Sequence, residues 1–342
     1  MDNPKNIFIS PLDWGLGHTT RCIPIAKELH NRGHKIIFGV NDEQKFLLEQ
    51  ELDFGNYIQF EGYNIQYPKG GNMGVKMLLE SPKILNRIRT EYNELQVLID
   101  KHKLDLVISD NRFGLHTKKI PCVYITHQIN IQSPNLIKNQ LHKIHRKYIN
   151  RFTACWIPDS GGKINLGEEL SHGKLHDNCS YIGTLSRFNQ KATSENEDID
   201  YLAIISGPEP QRSEFESIII NEFKKLNKNK CAIVVGKPLS KKQELIENIR
   251  YFSHLNSIEF FKLICRSKKI ICRPGYSTIM DLSTLQKPAH FIPTPGQTEQ
   301  EYLAKLHGKE NGWSTQNKLK ISNKLECNTP PEIKTNLKNL KW

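Results

Sequence analysis

Short apolar runs alternate along the chain with longer stretches in which apolar residues recur every three or four positions. Ile7–Ser10, Lys35–Val40, Asn56–Phe60, Leu104–Ser109, Pro121–Thr126 and Ala154–Pro158 have the length of strands. Between them, Cys22, Ala26 and Leu29 mark a helix that stops near Gly33, a long helical stretch lies within Gly74–His102, and Ile137–Arg151 reads as another helix. Pro24 predicts a distorted or late start to the first helix, and Ser81-Pro82 a break in the second. Strands separated by helix-length segments predict βαβ units and a parallel sheet.

The pattern lapses over Ser186–Asp200, which is polar and ends in the acidic run SENEDID at 194–200. It then restarts with strands at Tyr201–Ser206, Cys231–Gly236, Lys269–Cys272 and Ala289–Pro293. Helices follow at Gln211–Leu226, from about Leu255, at Ser277–Leu285 and at Glu299–Leu306. Residues 1–185 are therefore assigned to a first domain, 186–200 to a linker and 201–342 to a second domain. The fold class is α/β, with two Rossmann-like domains of parallel sheet.

A length of 342 residues suits two domains, and 37% apolar residues can build a core in each. Runs such as Ile120–Ile125 and Cys231–Gly236 fall well short of the ~20 apolar residues a spanning helix needs. Met1–Ser10 carries no secretory pattern. The eight cysteines are scattered without a CxxC pair, which predicts reduced thiols in a cytoplasmic protein and neither a zinc site nor a redox motif. The chain has 48 basic and 36 acidic side chains, a net charge of +12, so an acidic partner is expected. No zinc finger, ribonucleoprotein signature or basic–aromatic array is visible, and nucleic acid is not the expected partner. Two basic segments stand out. Lys138, Lys143, Arg146, Lys147 and Arg151 accompany Ile137, Leu141, Ile144 and Tyr148; Lys83, Arg87 and Arg89 surround Ile84, Leu85 and Ile88. They read either as solvated faces over buried stripes or as a surface that rests on anionic lipid.

Candidate chemistry begins in the loop after the first strand, Pro11-Leu-Asp13-Trp-Gly15-Leu-Gly17-His18. Gly15 and Gly17 permit a tight turn and a close ligand approach, but the third glycine of a dinucleotide fingerprint is missing. An NAD-type oxidoreductase is therefore a weak alternative. His18 lies at a helix start, where the positive end disfavours imidazolium, so it is a candidate general base or a loop-capping histidine. Asp13 is a rival base. Asp110, His127 and Asn130 follow strands whose carboxyl ends share an edge with this loop. In the second half, Arg273-Pro-Gly275-Tyr276-Ser277-Thr278 opens a helix, whose unpaired amides form an anion site. Asp281 lies one turn further on, where a carboxylate can accept ribose hydroxyls.

The segment RPGYSTIMDL…KPAHFIPTPGQTEQEY resembles the donor-binding segment of GT-B glycosyltransferases. It is most similar to glycosyltransferase family 28, which includes the N-acetylglucosaminyltransferase that completes peptidoglycan lipid II. Gly15, Gly17 and His18 resemble that family's first-loop motif, and THQIN at 126–130 its acceptor-side segment. The first loop here lacks consecutive glycines, Gln128 replaces an acid, and Glu301 replaces an amide. SDNRFG at 109–114 and SGPEPQR at 206–212 point to a separate branch.

The resemblance implies an inverting, metal-independent transfer of a hexose or N-acetylhexosamine from a nucleotide-diphosphate sugar, UDP-linked first. No cofactor is implied beyond that co-substrate. Ser206, Gly207, Gly275, Tyr276, Ser277 and Thr278 would lie at the diphosphate. Ile258 and Glu259 would read the base, Asp281 the ribose, and Gln300 with Glu301 the sugar. Gly15, Gly17, Asp110, His127 and Asn130 would face a glycan or lipid-linked acceptor, at the inner face of the membrane if the basic segments rest there. A nucleotide-sugar hydrolase or epimerase on the same fold is the alternative. Asp198-Ile-Asp200 is a literal DxD, but it sits in an acidic run and reads as solvated charge.

Overall fold

A computed structural model describes the chain apart from residues 1–2, 64–72, 132–134, 194–196 and 323. The first half runs β1 (Asn6–Pro11), α1 (Gly17–Asn31), β2 (Lys35–Val40), α2 (Asp42–Glu51), β3 (Asn56–Gln59), α3 (Met73–His102), β4 (Leu106–Asp110), β5 (Cys122–Ile125), α4 (Asn135–Ile149), β6 (Ala154–Ile157) and β7 (Cys179–Tyr181). The second runs β8 (Ile199–Ile204), α5 (Gln211–Lys224), β9 (Cys231–Val234), β10 (Gln243–Ile246), β11 (Ile249–Phe252), α6 (Ser257–Cys265), β12 (Ser267–Cys272), α7 (Tyr276–Leu285), β13 (Ala289–Phe291) and α8 (Thr298–Gly308).

The first sheet has the order β3-β2-β1-β4-β5-β6-β7 and is parallel throughout. The second has the order β10-β11-β9-β8-β12-β13, with only β10 antiparallel. Continuous apolar runs build strands covered on both faces. In β1, Ile7 and Ile9 join the core on one face and Phe8 the core on the other. In the second sheet Leu202 and Ile270 face one way, Tyr201 and Ile271 the other. The chain reverses its order of addition at β1/β4 and again at β8/β12. In open α/β sheets such switch points leave a crevice at the carboxyl ends of the strands.

Several expectations are corrected. α1 starts directly after the first loop and runs through Pro24. Proline's fixed φ suits a helix, and the cost of the lost bond, ~3 kcal/mol, is offset by burial of Cys22, Ile23, Ile25, Ala26 and Leu29. Pro82 likewise lies inside an unbroken α3, whose Leu95 and Ile99 are buried. β7 and the β10–β11 hairpin were not anticipated. β10 alternates exposed and half-buried residues, and its turn places Glu247 at φ +54° without a glycine to announce it.

The acidic run is not all linker. Residues 194–196 lie outside the described residues, and β8 begins at Ile199. Asp198 and Asp200 are not freely solvated: Arg266 binds the first, at 2.6 Å, and Lys268 the second, at 2.8 Å. The C-terminal segment also leaves the second domain. Ile333, Leu337 and Leu340 join the core shared with β1. Arg32 donates to the Leu337 carbonyl at 2.6 Å, and the buried Trp156 indole to Lys341 O at 2.8 Å.

Candidate active site

At the first switch point, the register pairs Pro11 of β1 with Asp110 of β4. The chain then turns through Gly15 at φ +87°, a left-handed conformation that favours glycine, and enters α1 at Gly17. His18 and Arg21, three residues apart, share one helix face. Asp110 is fully buried and Arg21 is 1% exposed. Arg21 Nε donates to Asp110 Oδ2 at 2.5 Å, and Nη2 donates to Oδ1. His18 Nδ1 lies 2.8 Å from the same Oδ1 and 2.9 Å from Arg21 Nη2, so it can donate to the carboxylate or accept from the guanidinium according to its tautomer.

Burial, followed by the Arg21 charge, lowers the His18 pKa; Asp110 opposes both. The imidazole is therefore neutral near pH 7. Arg21 Nη2 already donates to Asp110 Oδ1, so Nδ1–H is assigned to the carboxylate; Nε2 then keeps its lone pair, the arrangement a general base needs. For Asp110 itself, burial opposes ionisation, but Arg21 and then His18 hold its pKa well below the usual carboxylate range.

The second switch point lies opposite. Gly275 caps α7, and the first intrahelical bond there runs from Ile279 N to Gly275 O at 3.0 Å. The amides of Tyr276, Ser277 and Thr278 precede that bond, as the donor groups of a helix start. Ser277 Oγ donates to Gly17 O at 2.9 Å, so the starts of α1 and α7 meet across the cleft. A Cβ at Gly17 would stand 3.1 Å from Ser277 Oγ. The Ser206-Gly207 turn follows β8 beside them, with Gly207 at φ +109°. Two helix N-termini and a glycine turn thus converge, an arrangement that favours an anion.

Other expected site residues are committed elsewhere. The Asp13 carboxylate accepts from Tyr63 N at 3.3 Å and packs on Gly62, away from the His18 network. Asn130 Nδ2 ties down the Glu169 and His172 carbonyls, at 2.8 and 2.5 Å. Gln300 Oε1 accepts from Thr294 N at 2.8 Å and Glu301 Oε1 from Gly296 N at 3.2 Å, so both side chains turn back on their own loop. Asp281 accepts from Ser186 Oγ at 2.6 Å and lies 3.6 Å from Arg187 Nε; burial raises its pKa. Ile258 is 70% exposed on the first turn of α6. Glu259 lines a cavity of about 420 Å³ with Gln50, Lys241, His254 and Asn256.

His127 does join the His18 network. Its Nδ1 lies 3.1 Å from Arg21 Nη1 and its Nε2 2.7 Å from Glu299 Oε1. Arg21 and Glu299 are the residues that sequence reasoning missed. The spacing of Arg21 from His18 was the available signal; Glu299 stood beside the two side chains chosen instead.

Residues 213–318 match the family model described as the glycosyltransferase family 28 C-terminal domain. An uncharacterised glycosyltransferase of Methanosarcina acetivorans is 26% identical, with 93% of this chain and 85% of that protein covered. Among solved structures, a spinosyn rhamnosyltransferase complexed with thymidine diphosphate aligns with TM-score 0.60 and 12% identity, covering 91% of this chain and 86% of its own. MurG of Acinetobacter baumannii aligns with TM-score 0.52 and 15% identity, covering 92% and 87%. The dinucleotide reading of the first loop gives way to these likenesses. The chain is a glycosyltransferase of the GT-B fold, similar to glycosyltransferase family 28.

Proposed function

We propose that the protein transfers a hexose or N-acetylhexosamine from a UDP-sugar to an acceptor hydroxyl, with inversion and without a metal. The observation that carries the reading is the meeting of α1 and α7 at Gly17 and Ser277, beside the His18–Asp110 pair. His18 Nε2 takes the proton of the acceptor hydroxyl. The hydroxyl oxygen attacks the anomeric carbon as the bond to the diphosphate breaks. Asp110 orients the imidazole and stabilises the imidazolium that forms. The diphosphate charge is received by amides at the two helix starts, as preorganised donors.

We extend the proposal to a lipid-linked acceptor at the inner face of the cell membrane. Ile84 of α3 and Tyr148 of α4 pack in one cluster with Trp14 of the first loop, so both basic helices flank the acceptor side. Leu85 and Ile144, read as parts of buried stripes, are 56% and 53% exposed instead. Arg87 is tied to Glu94, whereas Lys143 and Lys147 are exposed beside Ile144. Lys138 falls outside the described side chains. Apolar residues projecting among cations suit an anionic lipid surface.

Thermal unfolding with a panel of nucleoside diphosphates tests the donor. UDP at 100 times its Kd should add ~2.7 kcal/mol of stability. A panel in which no nucleoside diphosphate raises Tm sinks the proposal; a larger shift with dTDP than with UDP corrects the base. Sedimentation with anionic vesicles tests the membrane reading, and binding insensitive to salt counts against it.

A further inference from the structure

His127 belongs to the first domain, yet the second domain grips it from two sides. It is 4% exposed. Its ring stacks on Tyr276 of α7, with centroids 4.2 Å apart and planes within 19°. Glu299, in the first turn of α8, meets its Nε2 at 2.7 Å. The other Glu299 oxygen accepts from the Gln128 amide, so the carboxylate is held at both ends. On the far side, His127 Nδ1 faces Arg21 Nη1 at 3.1 Å. A guanidinium only donates. The network therefore assigns Nδ1 as an acceptor and Nε2–H as the donor to Glu299.

We infer that Glu299 is a positioning residue: through His127 it orders Arg21 and Asp110, so that seating of the second domain fixes the aim of His18. The inference rests on the reading of His18 as the base. Without Glu299, the His127 Nε2–H loses its acceptor, and the weaker 3.1 Å contact with Arg21 alone is left to hold the tautomer and the ring in place. The other tautomer sets N–H against N–H. Arg21 then has to shift, and its two bonds to Asp110 shift with it. Asp110 Oδ1 is also the acceptor of His18, so the disturbance reaches the base within three contacts. Burial opposes the charge on Glu299, but His127, then His18 and Arg21, hold its pKa below the usual glutamate value. A carboxylate in this place could instead serve only to read a hydroxyl of the transferred sugar. In that role the ligand-free network would not depend on it.

The two roles separate in the full-length protein labelled with 15N-histidine and observed without any ligand. In Glu299→Ala the His18 ring signals should leave the wild-type pattern. Turnover should fall by about 10- to 100-fold, the loss expected for one charge-assisted hydrogen bond, with little change in donor KM. Glu299→Gln still presents an acceptor to His127 and should restore both. Glu299→Asp keeps the charge at the helix start but shortens the reach; it should behave like the alanine variant and serves if that variant does not fold. Wild-type His18 signals in both the alanine and aspartate variants, or a loss confined to donor KM, would overturn the inference. Because the ring signals are read without substrate, a fully active His18→Ala enzyme would remove the base assignment and leave this measurement standing.

Discussion

Replacing Asp110 with asparagine tests how the first domain holds a buried cation and a base on one carboxylate. Arg21 is 1% exposed and takes both oxygens of a fully buried Asp110. Asparagine keeps the volume but removes the charge, and it turns an amide NH2 toward a group that can only donate. Breaking a buried pair in this way costs ~3–5 kcal/mol. A folded domain has only ~5–15 kcal/mol in total, so the variant should fold with a much smaller margin. With a urea slope of ~1–3 kcal/mol/M, the midpoint should drop by ~1–5 M. Turnover should fall by ~10²–10⁴, because His18 loses the acceptor that fixes its tautomer. Acid titration adds a signed check. The folded Asp110 pKa is depressed, so its contribution is fully present above the unfolded value of ~3.9 and is lost as pH falls through the folded value. The wild type should therefore lose more stability than the variant on acidification below about pH 4. An unchanged urea midpoint would refute the reasoning, since an uncompensated buried guanidinium cannot cost nothing.

Three further outcomes are expected. His18→Ala should lower turnover by ~10²–10⁴ while nucleoside diphosphate binding by calorimetry stays intact; unchanged turnover removes the base role. The rate profile should follow the lowered His18 pKa, whose first cause is burial: the neutral, active ring persists below the ordinary value of ~6.5, and kcat/KM falls only on the acid side of it. An acid limb centred above pH 6.5 contradicts this. Gly17→Val places carbon where even a single Cβ stands 3.1 Å from Ser277 Oγ. Overpacking of ~1–3 kcal/mol should separate the helix starts and weaken nucleoside diphosphate binding by about tenfold or more; an unchanged Kd shows that the two starts do not share the anion.

Much of the scaffold was legible because strands buried on both faces have a strong signature. Ile7–Ile9 and Leu106–Ile108 can only be central strands once helices of matching length separate them, and that places the loop after β1 at a sheet switch. The proline positions misled because local propensity lost to packing: Pro24 and Pro82 sit in helices whose buried faces outweigh one missing bond. The C-terminal crossing to Trp156 was invisible, because contacts over that separation leave no trace in periodicity. At the site, chemistry was legible by residue type but not by direction. Glu299, Gln300 and Glu301 are consecutive polar residues at a helix start, and successive helix positions turn by about 100°. The first reaches the other domain while the next two bind their own loop. Asp13 and Asn130 likewise bind backbone groups, since a loop needs polar side chains to close its own backbone.

The excess of positive charge also changes meaning once its members have places. Three arginines are among the most deeply buried large side chains. Arg21 is neutralised by Asp110, and Arg112 by a fully buried Glu91 at 2.8 Å, so the first domain answers its own buried cations. Arg273 is held differently. Its Nη1 donates to the carbonyls of Ile292 and Pro293 at 3.0 and 2.9 Å, and its guanidinium lies 4.0 Å from the Phe215 ring centre. Burial draws its pKa down to about 9, with the Glu214 charge opposing that shift. Arg273 joins the end of β12 to the loop before α8, just ahead of the Gly275 turn. Its Nη2 donates to Gln316 Oε1 at 2.5 Å, so neutral oxygens and a ring take the place of a paired carboxylate. Net charge alone suggested an acidic partner somewhere on the surface. Its distribution shows that the buried part is answered within the fold, by carboxylates in the first domain and by carbonyls, an amide oxygen and a ring in the second.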